Sequence, residues 1–230
     1  MNTELAELLL KKDIIELNHL YEELMPVWPT HPKFHTSSEE TIAGGDGNYN
    51  TLLHMGDHCG THVDAPAHFI AGGATIETVA ARRLIGRGIK IDVSFLQPSQ
   101  EIALSAITAW EAQNGAINAG DIVIFRTGYD KKWRNRPHHQ AFIADWPGLS
   151  ADGARYLIDK GVNAIGTDAM SLDAYTNADY PSHHIVLGAG ALIIENLANL
   201  DALPQTFLFL ALPLRIKGGS ASPIRAVALV

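Results

Sequence analysis

Cysteine is almost absent: Cys59 is the only one among 230 residues. One sulfur cannot build an intramolecular disulfide framework, a CxxC pair or a thiolate-rich zinc site, so any metal here must take nitrogen and oxygen ligands. Basic charge is also scarce. Lys and Arg number 17 against 25 Asp and Glu, a formal net charge of -8 at pH 7. A phosphate backbone or an anionic membrane meets a repulsive average field, so neither nucleic acid nor a membrane surface is expected as a partner. Long apolar runs are missing too. The start of the chain offers only Leu8 to Leu10 behind Glu4 and Glu7, where a secretory signal carries a basic segment and a longer apolar one. No later stretch approaches the roughly 20 apolar residues that span a bilayer. The expectation is a soluble, cytoplasmic protein.

What is present fits one globular domain over residues 1–230, with 47% hydrophobic and 18% charged residues, long enough to bury a substantial core. Leu5, Leu8 and Leu9 predict a short amphipathic helix, followed by a strand at Ile14 to Leu17. Pro26, Pro29 and Pro32 keep the next segment extended and irregular, with Trp28 and Phe34 as aromatic surface in need of a cover. A loop at residues 43–50 leads to a strand at Thr51 to Met55. Further on, helices are predicted at Ile76 to Leu84, at Ser105 to Gln113 with a serine cap, and at Ser150 to Lys160 before Gly161. Strands are predicted at Gly88 to Val93, Asp121 to Phe125, Val162 to Ile165, Thr206 to Leu212 and Ala226 to Val230. This alternation points to an α/β fold with a mixed sheet covered by helices. Residues 130–148 mix charges, prolines and tryptophans without a period and read as an excursion from it.

His54, His58, His62 and His68 fall within 15 residues, where an even spread of the chain's histidines gives about 0.7. Gly60 and Pro66 argue against one continuous helix through this stretch, so it reads as a strand end running into a tight loop. There two imidazoles and a carboxylate can converge on one divalent ion, with positions left for water and substrate. A hydrogen-bonded loop core is the alternative for the same residues.

The segment His58 to Phe69, HCGTHVDAPAHF, resembles the HxGTHxDAPxH signature of the cyclase family of metal-dependent hydrolases, which includes bacterial kynurenine formamidases and isatin hydrolases. Later blocks, IDVS, RTGYDKKW, GTDAMSLD, SHHIVLGAGALIIENLANLDALP and SPIRAVALV, are similar to that family as well, from Ile14 almost to the end. The resemblance implies a swivelling β/β/α fold with a barrel-like mixed sheet, and assembly as a homodimer or homotetramer. It implies that His58, His62 and Asp64 hold a first metal, that Asp64 and Glu195 share a second with His183 completing the set, and that His68 donates and accepts the catalytic proton. His184 is out of register by one. Trp28, and Phe69 at the end of the signature, are implied to lie against substrate. The cofactor expected is Zn2+ or Mn2+, one or two ions per subunit.

The chemistry that follows is hydrolysis of a small aromatic formamide or cyclic amide at its C–N bond by activated water, with lactone opening obeying the same physics. A non-catalytic, metal-dependent binder of a small aromatic ligand is the alternative from another class; it would dispense with His68. Other residues offer less. Cys59 occupies the variable position of the signature and reads as small-residue packing rather than a nucleophile. No GxSxG elbow occurs, so Ser171 reads as a turn beside Asp168 and Asp173, with Asp168 a support behind the pocket. Gly188 and Gly190 form no GxGxxG and read as helix-end glycines. His138 and His139 read as a solvated loop, with a substrate lid as the alternative.

Overall fold

A computed structural model describes residues 3–230. In chain order the strands are β1 (Ile14–Glu16), β2 (His35–Glu40), β3 (Asn50–His54), β4 (His62–Asp64), β5 (Ile85–Asp92), β6 (Glu101–Ile102), β7 (Ile122–Arg126), β8 (Gly148–Leu149), β9 (Ala164–Thr167), β10 (Leu192–Glu195), β11 (Thr206–Pro213) and β12 (Ala221–Leu229). The helices are α1 (Thr3–Leu10), α2 (Leu104–Asn114), α3 (Ala151–Asp159) and α4 (Pro181–Gly188). Strands β5, β7, β9 and β10 run parallel, and parallel neighbours need a crossover between them. α2, α3 and α4 supply the three crossovers. β11, β12 and β4 continue the sheet antiparallel, and β4 pairs with both β12 and β10, which closes a mixed seven-stranded barrel. β1 lies along the rest of β12.

The barrel interior and the helices outside it bury β7, β9 and β10 on both faces, so these strands read as apolar runs, whereas β11 and β12 alternate. In β7, Ile122 and Ile124 belong to one core with Leu192, Ile194, Phe209 and Ala226 from the other barrel strands. Val123 and Phe125 point the other way, into a second core with Ile107 of α2, Leu157 of α3 and Val186 of α4. Capping follows the sequence at α3, where Ser150 Oγ accepts from the Gly153 amide, and Gly161 follows with φ +77°. At α2 it does not: the helix begins one residue before Ser105, directly from extended Ala103 after β6.

The helix expected at Ile76 to Leu84 is instead two short 3₁₀ turns, Ile76–Thr78 and Ala81–Leu84, split by extended Val79 and Ala80. The Ile76 amide donates to Gly219 O, and both Ile76 and Leu84 are buried in the barrel core, an arrangement that one straight helix does not provide. Residues 130–148 also differ from a solvated excursion. Trp133, Phe142 and Trp146 pack there with Tyr129, Met170 and Trp28, and His19 stacks on Trp133 at 3.9 Å between ring centres. Among the described residues, no helix is long and apolar enough to cross a membrane.

Candidate active site

Successive side chains on a strand point to opposite faces. Within β4, His62 and Asp64 therefore share one face while Val63 enters the barrel core. The ladder sets Glu195 of β10 opposite His62, so its carboxylate joins the same face. All three residues are buried. Just upstream, Gly60 has φ +62°, and a Cβ there would sit 2.7 Å from the Tyr21 ring; the Tyr21 hydroxyl donates to the carbonyls of Cys59 and Thr61 at 2.7 Å. Glycine is thus required for the chain to turn into β4.

Each imidazole is held by a partner outside the cluster. His62 Nδ1 lies 2.8 Å from Gly60 O, which fixes Nδ1 as the protonated nitrogen and turns Nε2 toward Asp64 Oδ1 at 3.2 Å and Glu195 Oε2 at 3.6 Å. His183 Nδ1 lies 2.7 Å from Asp173 Oδ2, with Nε2 3.2 Å from Glu195 Oε1 and 3.8 Å from Asp64 Oδ2. Asp173 also accepts from the Ser182 and His183 amides, anchoring the start of α4. His58 Nδ1 is 2.8 Å from Asp64 Oδ1, and its Nε2 is 2.9 Å from Ser220 Oγ, which donates to Asp57. Glu195 Oε1 accepts from the Leu172 amide at 2.9 Å. Such outer partners fix tautomer and direction.

Electrostatics give the cluster a need for positive charge. Asp64 is fully buried; that burial opposes its ionisation, but His58 and His62 outweigh it and hold its carboxyl well below the usual range. Burial likewise works against a charged His62 and a charged His183. The facing carboxylates overcome it, lifting His62 to about 9 and His183 to about 10. For His68, burial dominates; reinforced by the neighbouring imidazoles and partly offset by Asp64, it pushes the group down to about 4. Although they pair as charges, His62 Nε2 and both oxygens of Asp64 are buried and make no hydrogen bond of good geometry, which is costly unless a ligand completes them. The donor atoms form two groups that share Asp64: His58, Asp64 and His68, and His62, Asp64 and Glu195, each within 4.8 Å. Nitrogen and oxygen donors at that spacing suit a divalent cation.

A cavity of about 180 Å³ opens beside these groups, with His58, His62, His68, His183 and Glu195 in its lining. Trp28 and Phe69 line it as well, so every residue singled out as catalytic, metal-binding or substrate-binding reaches this one region. His184 is exposed, and His138 and His139 are not part of the lining. Asp168 is fully buried and accepts from Thr127 and Gly128, tying β7 to the end of β9 away from the cavity wall. Cys59 is buried against Met25 and Phe34, and burial pushes its thiol up to about 11.

Residues 15–174 fit a family model described as "Putative cyclase". The chain belongs to the cyclase family. The isatin hydrolase of Roseibium aggregatum is 36% identical over 218 residues, covering 86% of this chain and 81% of that protein. The kynurenine formamidase of Sphingopyxis alaskensis is 33% identical over 208 residues, covering 88% and 91%. A crystal structure of an isatin hydrolase bound to the product analogue thioisatinate superposes with a TM-score of 0.90 at 28% identity, covering 99% of this chain and 97% of that one.

Reading the sequence missed Asp173 as the partner of His183, and it missed Tyr180, His31, Met170 and Asn196 in the cyclase-family cavity. Asn196 carried a usable signal. It follows Glu195 and adopts φ +57°, a conformation Asn tolerates, and its side chain donates to Gly60 O, joining the end of β10 to the turn before β4.

Proposed function

We propose that this cavity hydrolyses the C–N bond of a small aromatic formamide or cyclic amide, using one or two Zn2+ or Mn2+ ions. The observation that carries this reading is the set of converging buried donor atoms that no well-formed hydrogen bond satisfies, His62 Nε2 and both Asp64 oxygens, beside an aromatic-walled cavity in a cyclase-family chain. His58, His62, Asp64 and Glu195, with His183, are the residues that would hold the ions. The relatives named isatin hydrolase and kynurenine formamidase support hydrolysis of a C–N bond of this kind.

When bound, a divalent cation supplies an acidified water and stabilises negative charge on the carbonyl oxygen. The chain's own residues do the rest. Gly60 O and Asp173 engage the Nδ1 atoms of His62 and His183 and keep the inward Nε2 atoms aimed at the carboxylates. His68 lies 3.9 Å from His58 between ring centres and faces the cavity unprotonated near neutral pH. A ring nitrogen of His68 takes the proton of the attacking water and returns it to the departing nitrogen, without which the C–N bond breaks slowly. Trp28 and Phe69 hold the aromatic end of the substrate. The reading extends to a homodimer or homotetramer, supported by the β2–β3 hairpin, which leaves Ile42, Tyr49, Leu52 and Leu53 exposed.

Elemental analysis followed by assay on isatin and N-formyl aryl amines tests the reading. The expected result is a stoichiometric divalent metal and hydrolysis that chelation abolishes and added Mn2+ or Zn2+ restores. Protein that neither retains nor rebinds such a metal, or whose hydrolysis ignores chelation, overturns it.

A further inference from the structure

The cavity has two unlike sides, the polar cluster and an aromatic side made by Trp28, Phe69 and Tyr180. His31 stands at the seam between them, its ring centre 6.4 Å from that of Trp28 and 5.7 Å from that of His58. The chain fixes it there. The His31 amide donates to Trp28 O at 2.9 Å, closing a turn with Pro29 in its second position, where the fixed φ of proline is favoured. Pro32 follows directly and restricts the backbone of the residue before it. It also packs against Gly56, two residues before His58. Two prolines thus hold a part-buried imidazole beside the cluster.

Five histidines line the cavity, and three of them are committed. His58 faces Asp64 and Ser220, His62 faces Asp64 and Glu195 with Gly60 O behind it, and His183 faces Glu195 with Asp173 behind it. Among the described residues, the rings of His31 and His68 make no hydrogen bond or ion pair with the chain. Both neighbour His58, but His68 lies toward Phe69, 4.7 Å away between ring centres, whereas His31 lies toward Trp28. With His68 serving the departing nitrogen, His31 is free for another atom of the same substrate. Burial, reinforced by His58 and His62, holds His31 below the usual imidazole range, so it meets a ligand as a neutral ring with one N–H to donate. A carbonyl conjugated with the substrate's aryl ring matches that donor. It stays coplanar with the ring against the aromatic side, and its oxygen has two lone pairs, so it accepts from His31 even while the neighbouring amide N–H engages the other.

We infer that His31 is a specificity-determining residue of this site, a hydrogen-bond donor to a carbonyl oxygen that the aryl ring carries ortho to the scissile nitrogen. The inference rests on the hydrolase reading above for the place of that nitrogen; the binding it describes can be measured without turnover.

Two formanilides of matched shape test it: N-formyl-2-aminoacetophenone, which has the ortho carbonyl, and N-formyl-2-isopropylaniline, in which a methyl group replaces that oxygen. Their kcat/KM ratio in the metal-loaded wild type is compared with the ratio in His31→Phe, which keeps a flat ring and loses the donor. Differences in intrinsic reactivity cancel in this comparison. The ratio should fall by at least about threefold in His31→Phe, as expected for one neutral hydrogen bond, with metal content unchanged. The better of His31→Gln and His31→Asn, which keep an N–H, should recover part of the fall. A smaller fall, no recovery in either amide variant, or loss of metal with the His31 ring overturns the inference; His31→Ala supplies the same comparison if His31→Phe does not fold. NMR titration with 2-aminoacetophenone and 2-isopropylaniline, which have no bond to cleave, is the second arm, and the preference for the ketone should shrink by a similar factor in His31→Phe. If neither formanilide is cleaved while that preference still depends on His31, the hydrolase reading fails and the role of His31 stands. If both are cleaved and neither ratio responds to His31→Phe, the role of His31 fails and the hydrolase reading stands.

Discussion

The two sides of the cavity are built by different means. The polar side is anchored on paired strands, with His62 and Asp64 on β4 and Glu195 opposite on β10, all buried and held by ladder hydrogen bonds or outer partners, while His58 and His68 flank β4 and His183 lies on α4. The aromatic side sits on connecting segments: Trp28 in the proline-rich arm, Phe69 just after a 3₁₀ turn, Tyr180 at a strained residue before α4. Rigid strands suit groups whose spacing must be held to fractions of an ångström, whereas loops tolerate change. The difference teaches that the two walls rest on different parts of the fold: strands fix the spacing of His62, Asp64 and Glu195, while connecting segments carry the aromatic rings and His68.

The comparison is broken most severely by Asp64→Asn, since Asp64 belongs to both donor groups. Removing the charge that both share should abolish metal retention and cost at least roughly 10³-fold in turnover, read by elemental analysis and rate. Next comes His68→Ala, expected to leave metal content intact while kcat falls by about 10²- to 10⁴-fold. If His68→Ala loses metal as Asp64→Asn does, His68 is a ligand and the proton moves elsewhere. Asp173→Asn should act more gently, releasing the His183 ring and weakening metal affinity by roughly 10- to 100-fold in a chelator competition. On the loop side, Trp28→Ala should raise KM by about tenfold with a smaller change in kcat and none in metal content; a variant that loses metal would show that the two sides are not separable.

The smallest effect concerns pH and the support beneath the loops. Burial against Trp133 pushes His19 down to about 4, only partly countered by a hydrogen bond to the Leu197 backbone. The folded protein thus favours neutral His19; the stability this contributes is complete above pH 6.5 and is lost as pH falls from about 6.5 toward 4. The loss is at most about 3 kcal/mol. Denaturant melts across that window should show a shallower decline for His19→Phe than for the wild type.

Much of the polar side was legible in the sequence because it depends on local spacing: His58, His62, Asp64 and His68 lie along one short segment, and the signature they resemble carries the distant His183 and Glu195 with it. The α/β alternation was legible for the same reason, strand by strand. On the aromatic side the same resemblance implied Trp28 and Phe69 but not Tyr180. Tyr180 faces the cavity through a backbone conformation that its residue type disfavours, and propensity gives no hint of it. Asp173 lies ten residues from His183 and meets it only through the packing of α4. At Ile76 to Leu84 the apolar spacing suggested a helix, but the pull of both end residues into the barrel and the bond to Gly219 favoured two turns.

Crystals of the metal-free protein soaked in Mn2+, with diffraction recorded at the manganese edge, test the central claim most directly. The account predicts an anomalous peak among His62 Nε2, Asp64 and Glu195, with any second peak sharing Asp64 on the His58 side. Peaks only at surface carboxylates, or none at a saturating concentration, would contradict it.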